Sequence, residues 1–164
     1  MKAVVLVVAL ACFAALPAAA QNITVTGLDG RERAFTQQQL AAFPQQRLTL
    51  KSRDGVSHIY EGPALTTLLT AVGAPSGEAL RGQDMADVVL VSASDGYRVA
   101  LSLAETDASL RGDKVILADL EDGKPLDASQ GPLRLVVDGD ARPARSARMV
   151  TGVRLVRLTD GSPR

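Results

Sequence analysis

Four arginines in the last third of the chain are the residues whose spacing could support binding chemistry. Arg142, Arg145 and Arg148 recur at every third position, and Arg134 lies upstream of them. Guanidinium groups bind phosphate and carboxylate oxygens through paired hydrogen bonds. The spacing therefore predicts a pocket for a small anion. The alternative is a set of solvated side chains that pair with some of the many aspartates.

Tyr97 is a candidate ligand-binding residue alongside the arginines. It follows an Asp95-Gly96 turn on the apolar face of a predicted strand. There it either lines a pocket or is a buried tyrosine whose hydroxyl has a partner. Asp95 is expected to accept hydrogen bonds from its own turn, and His58 is expected to be a surface or interface residue rather than a base. We assign no residue a catalytic role.

Metal-ligating side chains are few in this sequence. The only cysteine is Cys12 and the only histidine is His58, which excludes a zinc site built from several histidines or thiolates. Asp119, Glu121 and Asp122 are close in sequence but lack the spacing of a calcium-binding loop. The sequence therefore predicts no metal site.

Residues 88–103 form the predicted hairpin around which the other elements are arranged. An Asp95-Gly96 pair can adopt the positive φ angles of a tight turn without steric cost. The first arm is apolar on both faces, which predicts a central strand, whereas the second arm has one polar face. Such a hairpin needs further layers to be stable in water.

The flanking segments supply those layers as short strands and helices. Strands are predicted at 23–26, 33–35, 47–52, 56–61, 115–120, 133–137 and 150–158. Helices are predicted at 37–42, after a capping box, from Gly62-Pro63 to Val72, and at 105–110. Residues 76–87 are expected to be a surface connection, and Gly131 is expected to resist substitution if its φ is positive. This balance predicts one strand-rich α+β domain with two or three short helices.

Residues 1–20 have the pattern of a signal peptide. Lys2 precedes an apolar run over 3–16, and Ala18-Ala19-Ala20 gives the small residues that signal peptidase requires, so cleavage is expected after Ala20. A lipidation box at 9–12 is the alternative, but small apolar residues continue past it. Residues 21–164 are therefore expected to be an exported domain, periplasmic or secreted, with no transmembrane segment.

The charge balance excludes one broad class of partner. Lys and Arg together number 18, as do Asp and Glu, and the formal net charge is zero. A general nucleic-acid binder normally has a strong basic excess or a basic patch. The composition therefore argues against nucleic-acid binding.

Several landmarks follow one another in a familiar order. They are Asp95-Gly96-Tyr97, the DGKPL sequence at 122–126, the GPLRLVV sequence at 131–137, Arg148-Met149-Val150, and the upstream helix with Leu68-Leu69. Together they resemble the molybdopterin-binding domain of the sulfite oxidase family and of its periplasmic methionine sulfoxide reductase relatives, over residues 48–158. The resemblance implies a reduced form of that fold.

The resemblance also implies a cofactor site, from which this chain departs. In the family, molybdenum is held by the pterin dithiolene and one protein cysteine, and the corresponding stretch here, 48–60, contains Ser52 and no cysteine. A hydroxyl is a hard ligand that does not ionise readily. Tyr97 matches a tyrosine that lines the active site of sulfite oxidases, and Arg148 stands at a lysine position that helps to hold the cofactor.

Two functions of different class follow from these observations. The first is an exported molybdopterin-oxidoreductase-like module without metal chemistry or cofactor, which binds a small anion or a periplasmic protein partner. The second is a molybdopterin-dependent oxo-transfer enzyme that completes its site without a protein cysteine or with a partner subunit. We favour the first, because a metal site without its protein ligand has little left to hold the metal.

Overall fold

The computed structural model describes residues 22–52 and 54–158 of the chain. The predicted signal peptide and its cleavage site lie outside these residues. The strands are β1 (Ile23–Thr26), β2 (Glu32–Phe35), β3 (Gln45–Lys51), β4 (Ser57–Pro63), β5 (Asp87–Ala93), β6 (Arg98–Ser102), β7 (Val115–Ala118), β8 (Leu120–Glu121), β9 (Lys124–Pro125), β10 (Arg134–Val137) and β11 (Val150–Arg157). The helices are α1 (Gln37–Ala41), α2 (Leu65–Thr70), α3 (Leu103–Thr106) and α4 (Ala108–Arg111). The α+β prediction is confirmed.

The larger sheet has five strands in the order β2-β1-β11-β5-β6. β1 is parallel to β11, and the other neighbours are antiparallel. The predicted hairpin is β5 and β6, and its turn contains Gly96 at φ 86°. β5 has a neighbour on each side, as its two apolar faces predict, and Val89 and Val91 are fully buried.

Two smaller sheets pack beside it and enclose a second core. One has the order β3-β4-β8-β9, and the other pairs β10 with β7. The buried residues of this second core are Leu48, Leu50, Tyr60, Ile116, Ala118 and Val136. Since side chains alternate along a strand, Arg134 shares with Val136 the face of β10 that points into this core.

The helix predicted to open at Gly62-Pro63 begins two residues later. Pro63 is the last residue of β4, Ala64 is the N-cap, and α2 starts at Leu65. A Cβ on Gly62 would overlap the carbonyl oxygen of Leu117. β4 lies in such close contact with β7 that the strand continues through Gly62. The local sequence does not reveal this contact.

The helix predicted at 105–110 is divided into α3 and α4 at Asp107. The carboxylate of Asp107 accepts a hydrogen bond from the backbone N–H of Ser109, 2.9 Å away, and so caps a new helix. The predicted surface connection at 76–87 contains two turns of 3-10 helix, Gly77–Ala79 and Gly82–Ala86. In the described part of the chain, no helix reaches the length and apolarity of a membrane span.

Candidate anion-binding site

An open cleft of about 670 Å³ lies between the end of the β3–β4 hairpin and the loop that follows β10. Its lining residues are Lys51, Ser52, Ala141, Arg142, Pro143 and Ala144. Lys51 and Arg142 are both exposed, and the described residues of this lining include no carboxylate. Two cations facing one cleft create a local positive potential in a chain that is neutral as a whole.

Four other clefts in the described residues each have a carboxylate in their lining. Glu32 lines two of them, Asp107 lines a third, and Asp29 lines a fourth. A carboxylate in the lining repels an anionic ligand and competes for any cation beside it. Of these five clefts, the one at Lys51 and Arg142 therefore has the charge that favours an anion.

Ser52 contributes less to anion binding than the two cations do. Its hydroxyl donates a hydrogen bond to the Asp54 carboxylate, and that bond is the main reason that the pKa of Asp54 is lowered. The backbone N–H of Val56 donates to the same carboxylate oxygen, 3.2 Å away. The hydroxyl proton of Ser52 is thus already used within the hairpin turn.

The loop that carries Arg142 is held in place from two sides. Arg145 donates to Asp140 within its own loop, with an Nε to Oδ2 distance of 3.0 Å, and to Glu105, with an Nη1 to Oε1 distance of 2.8 Å. Both bonds raise the pKa of Arg145, and the bond with Arg145 is the main reason that the pKa of Glu105 is lowered. On the other side, the Tyr97 hydroxyl donates to the carbonyl oxygen of Ala144 at 2.8 Å.

Arg134 lies in the second core and is only 5% exposed. Its Nη1 donates to the Tyr60 hydroxyl at 2.7 Å and to the side-chain oxygen of Gln130. The guanidinium carbon also lies 4.6 Å from the centre of the Tyr60 ring, within cation–π range. Burial lowers the pKa of Arg134 and raises that of Tyr60.

Glu121 accepts hydrogen bonds from both partners of Arg134. The Tyr60 hydroxyl donates to Oε1 at 2.6 Å, and the Gln130 side chain donates to Oε2 at 2.7 Å. Arg134, Tyr60, Glu121 and Gln130 thus form a closed ring of hydrogen bonds, which we call the Arg134 ring. In this ring the Arg134 guanidinium and the Glu121 carboxylate are linked through the neutral side chains of Tyr60 and Gln130.

His58 lies at the outer edge of the Arg134 ring. Its Nδ1 is 2.8 Å from Asp122 Oδ2 and 3.4 Å from Glu121 Oε1. The hydrogen bond with Asp122 is the main cause of the raised pKa of His58. The pKa of Asp122 is lowered, first by the Ile59 backbone N–H and then by His58.

The structure separates the five predicted ligand-binding residues into different environments. Arg142 lines the cleft, and Tyr97 and Arg145 hold the loop that carries it. Arg134 is buried in the second core, and Arg148 is exposed but close enough to lower the pKa of Arg134 electrostatically. A single pocket containing all five residues does not form.

Sequence reasoning missed several of the residues that surround these arginines. They are Lys51 in the cleft, and Tyr60, Glu121 and Gln130 in the Arg134 ring. The alternation along β3 and β4 was a usable signal for Tyr60, because Tyr60 is paired with Leu48 on the apolar face. No local pattern places Lys51 beside residues 141–144, since that contact joins distant parts of the chain.

Comparison with protein families gives a match over nearly the whole chain. Residues 13–162 match the model of the oxidoreductase molybdopterin binding domain. No curated protein sequence matches significantly.

A solved structure supports the same fold. The chain resembles the sulfane dehydrogenase SoxCD from Paracoccus pantotrophus with a TM-score of 0.64 and 17% sequence identity. The match covers 90% of this chain but only 41% of that chain. At this level of identity the likeness establishes the fold, and the chain spans less than half the length of that relative.

Proposed function

The chain belongs to the family of oxidoreductase molybdopterin-binding domains, and from that premise we propose that it is an exported member that binds a small oxyanion between Lys51 and Arg142 without metal chemistry. The ligand is either a free anion or an acidic group on a periplasmic protein partner. Both present the same carboxylate or phosphate oxygens to the cleft.

One observation carries this proposal. The cleft combines two exposed cations with a lining whose described residues include no carboxylate. Arg142 has the planar donor set suited to an oxyanion, and Lys51 adds a compact charge. The loop of Arg142 is fixed by Tyr97 and Arg145, so less of the binding energy is lost in ordering it.

The donor set of the cleft does not fit the metal of the family cofactor. The resemblance to sulfite oxidases implies a cysteine thiolate on molybdenum, and the stretch that corresponds to it contains Ser52, whose hydroxyl donates to Asp54. Within residues 22–52 and 54–158, no group of three or more His, Cys, Asp or Glu side chains is arranged to hold a metal ion. We therefore assign no step of this protein to a molybdenum centre.

A titration of inorganic phosphate into the purified exported protein tests the proposal. Arg142→Gln is expected to weaken binding about tenfold or more, because it removes charged hydrogen bonds worth roughly 1.5–3 kcal/mol. Lys124→Gln is the matched control, since Lys124 is exposed but lies outside the cleft. If both variants bind phosphate as tightly as the wild type does, the cleft is not the binding site.

Membership of an oxidoreductase family supports a second candidate function. In this alternative the chain is a molybdopterin-dependent oxo-transfer enzyme whose site is completed by a partner subunit or without a protein cysteine. Metal analysis of protein produced in a molybdopterin-competent host separates the two functions. One molybdenum per chain supports the enzyme, whereas metal-free protein that binds phosphate supports the module.

A further inference from the structure

A smaller cleft, of about 340 Å³, lies where the starts of β3 and β7 meet α2 and the junction of α3 with α4. We call it the Asp107 cleft, and its lining includes Gln46, Ala64, Asp107, Ala108, Lys114 and Val115. We propose that this cleft binds a small zwitterion, such as an amino acid, whose ammonium contacts Asp107 and whose carboxylate contacts Lys114. It shares no described lining residue with the cleft at Lys51 and Arg142, and the inference does not depend on that cleft.

The two charges of the Asp107 cleft are not neutralised by the protein. Among the described residues, no Lys, Arg or His nitrogen lies within 4.0 Å of the Asp107 carboxylate, and no carboxylate oxygen lies within 4.0 Å of Lys114 Nζ. A ligand with a single charge would be attracted by one of these residues and repelled by the other. A ligand that carries both charges is attracted by both residues.

Asp107 is fixed in its ionised form. It is 5% exposed. Its Oδ1 accepts from the backbone N–H and the hydroxyl of Ser109, at 2.9 and 2.7 Å, and its Oδ2 accepts from the Gly77 N–H at 2.6 Å. Burial alone would raise the pKa of Asp107, but the hydrogen bonds from Ser109 and Gly77 outweigh it and leave the pKa lowered. A carboxylate oxygen can accept two hydrogen bonds, so Oδ2 retains one acceptor position for an ammonium.

Lys114 is held at the other side of the charge pattern. Its Nζ donates to the side-chain oxygen of Gln46 at 2.9 Å, which is half-buried on the same face of β3 as Leu48. An ammonium has three donors. Two donors of Lys114 therefore remain for the carboxylate of a ligand, while Gln46 limits how far the side chain can move.

The rest of the lining suits a compact ligand. Ala64 and Ala108 have short side chains, and Val115, which is only 1% exposed, adds an apolar contact. Small-molecule sites occupy roughly 300–1,000 Å³, and the Asp107 cleft lies near the lower end of this range. A molecule with a short apolar segment between its two charges matches this lining.

The experiment titrates three zwitterions, glycine, β-alanine and γ-aminobutyrate, into the Arg142→Gln protein. This background weakens the other cleft as a site for the carboxylate of a probe. The three probes carry the same charges at increasing separation, and calorimetry measures their affinities. The best of them is expected to bind one per chain and about tenfold or more tighter than acetate or methylammonium, because each of these lacks one charged contact.

Two substitutions assign the binding to the Asp107 cleft. Asp107→Asn removes the charge but keeps a residue that caps α4 well, and Lys114→Gln removes the opposite charge at an exposed position. Each is expected to weaken binding of the best zwitterion about tenfold or more.

Each substitution has a matched control outside the Asp107 cleft. Asp127→Asn is the control for Asp107→Asn, because Asp127 Oδ1 likewise accepts from the backbone N–H and hydroxyl of Ser129, at 2.7 and 2.6 Å. Lys124→Gln is the control for Lys114→Gln. Both controls should bind the zwitterion as the parent protein does. The proposal is overturned if no zwitterion binds, if acetate or methylammonium binds as tightly as the best zwitterion, or if either folded variant keeps the parent affinity.

Discussion

Arg134 and Arg142 carry the same charge in opposite environments. Arg134 is 5% exposed, and its donors face Tyr60 and Gln130, whereas Arg142 is exposed in the cleft. A buried guanidinium has lost its hydration and depends on its protein partners. An exposed guanidinium keeps its water and can exchange it for a ligand. Substitution of Arg134 should therefore lower stability, whereas substitution of Arg142 should weaken anion binding.

Arg134→Met is expected to lower the free energy of unfolding by about 2–3 kcal/mol. It removes the hydrogen bonds to Tyr60 and Gln130, and with them the buried cation that compensates the partly buried Glu121. Arg142→Met should change stability by less than about 0.5 kcal/mol, because Arg142 is exposed. Urea unfolding of the two variants is the measurement. Equal effects of the two substitutions would contradict the structural role of Arg134.

His58 is the only histidine in the sequence, so its titration can be followed without ambiguity by NMR. Its pKa is expected to lie above the ordinary value of 6.5, mainly because of the hydrogen bond with Asp122. Since the folded pKa is raised, the stabilising contribution is complete below pH 6.5 and is lost as pH rises through the folded pKa. Asp122→Asn should move the pKa of His58 back toward 6.5. A pKa that is unchanged in this variant would exclude the assigned cause.

At the scale of elements, residue alternation and turn chemistry were sufficient to predict most strands. The hairpin of β5 and β6 and the capping box of α1 depend on neighbouring residues, and both were predicted correctly. The end of β4 was not predicted correctly, because it depends on contact between Gly62 and Leu117. The Arg134 ring in the candidate site was not predicted for the same reason, since it joins residues more than sixty positions apart, such as Tyr60 and Glu121.

Gly131 does not have the positive φ on which its expected sensitivity to substitution depended. Its φ lies outside the left-handed region, but an added Cβ would lie 2.9 Å from Leu126 Cβ and 3.1 Å from Asp127 O. Gly131→Val is therefore expected to destabilise by about 1–3 kcal/mol through overpacking. Thermal unfolding measures this effect. Gly152→Ala is the control in a similarly ordinary backbone conformation, since its new Cβ would meet only Thr24 O at 3.7 Å.

Gly62 should be more sensitive to substitution than Gly131. A Cβ there would overlap backbone atoms of Leu117 and Ala118, which cannot move without separating β4 from β7. Gly62→Ala should consequently lower stability more than Gly131→Ala does, where the nearest atom belongs to the Leu126 side chain. Comparison of the two urea midpoints tests the order. A smaller effect at Gly62 would show that the two sheets are not in close contact at this point.

At the scale of the whole molecule, the zero formal charge limits how anions are attracted. A neutral protein has no overall field to concentrate phosphate, so attraction comes from the local pair Lys51 and Arg142. Both residues are exposed, and salt therefore screens them effectively. The Debye length shortens from about 30 Å at 0.01 M to about 8 Å at 0.15 M ionic strength.

Phosphate binding to the wild-type chain should accordingly weaken as sodium chloride is raised over this range. Calorimetric titrations at the two ionic strengths measure this dependence. Binding that stays equally tight at about 0.15 M would contradict a site made of two exposed cations, because salt screens exposed charges strongly over this range.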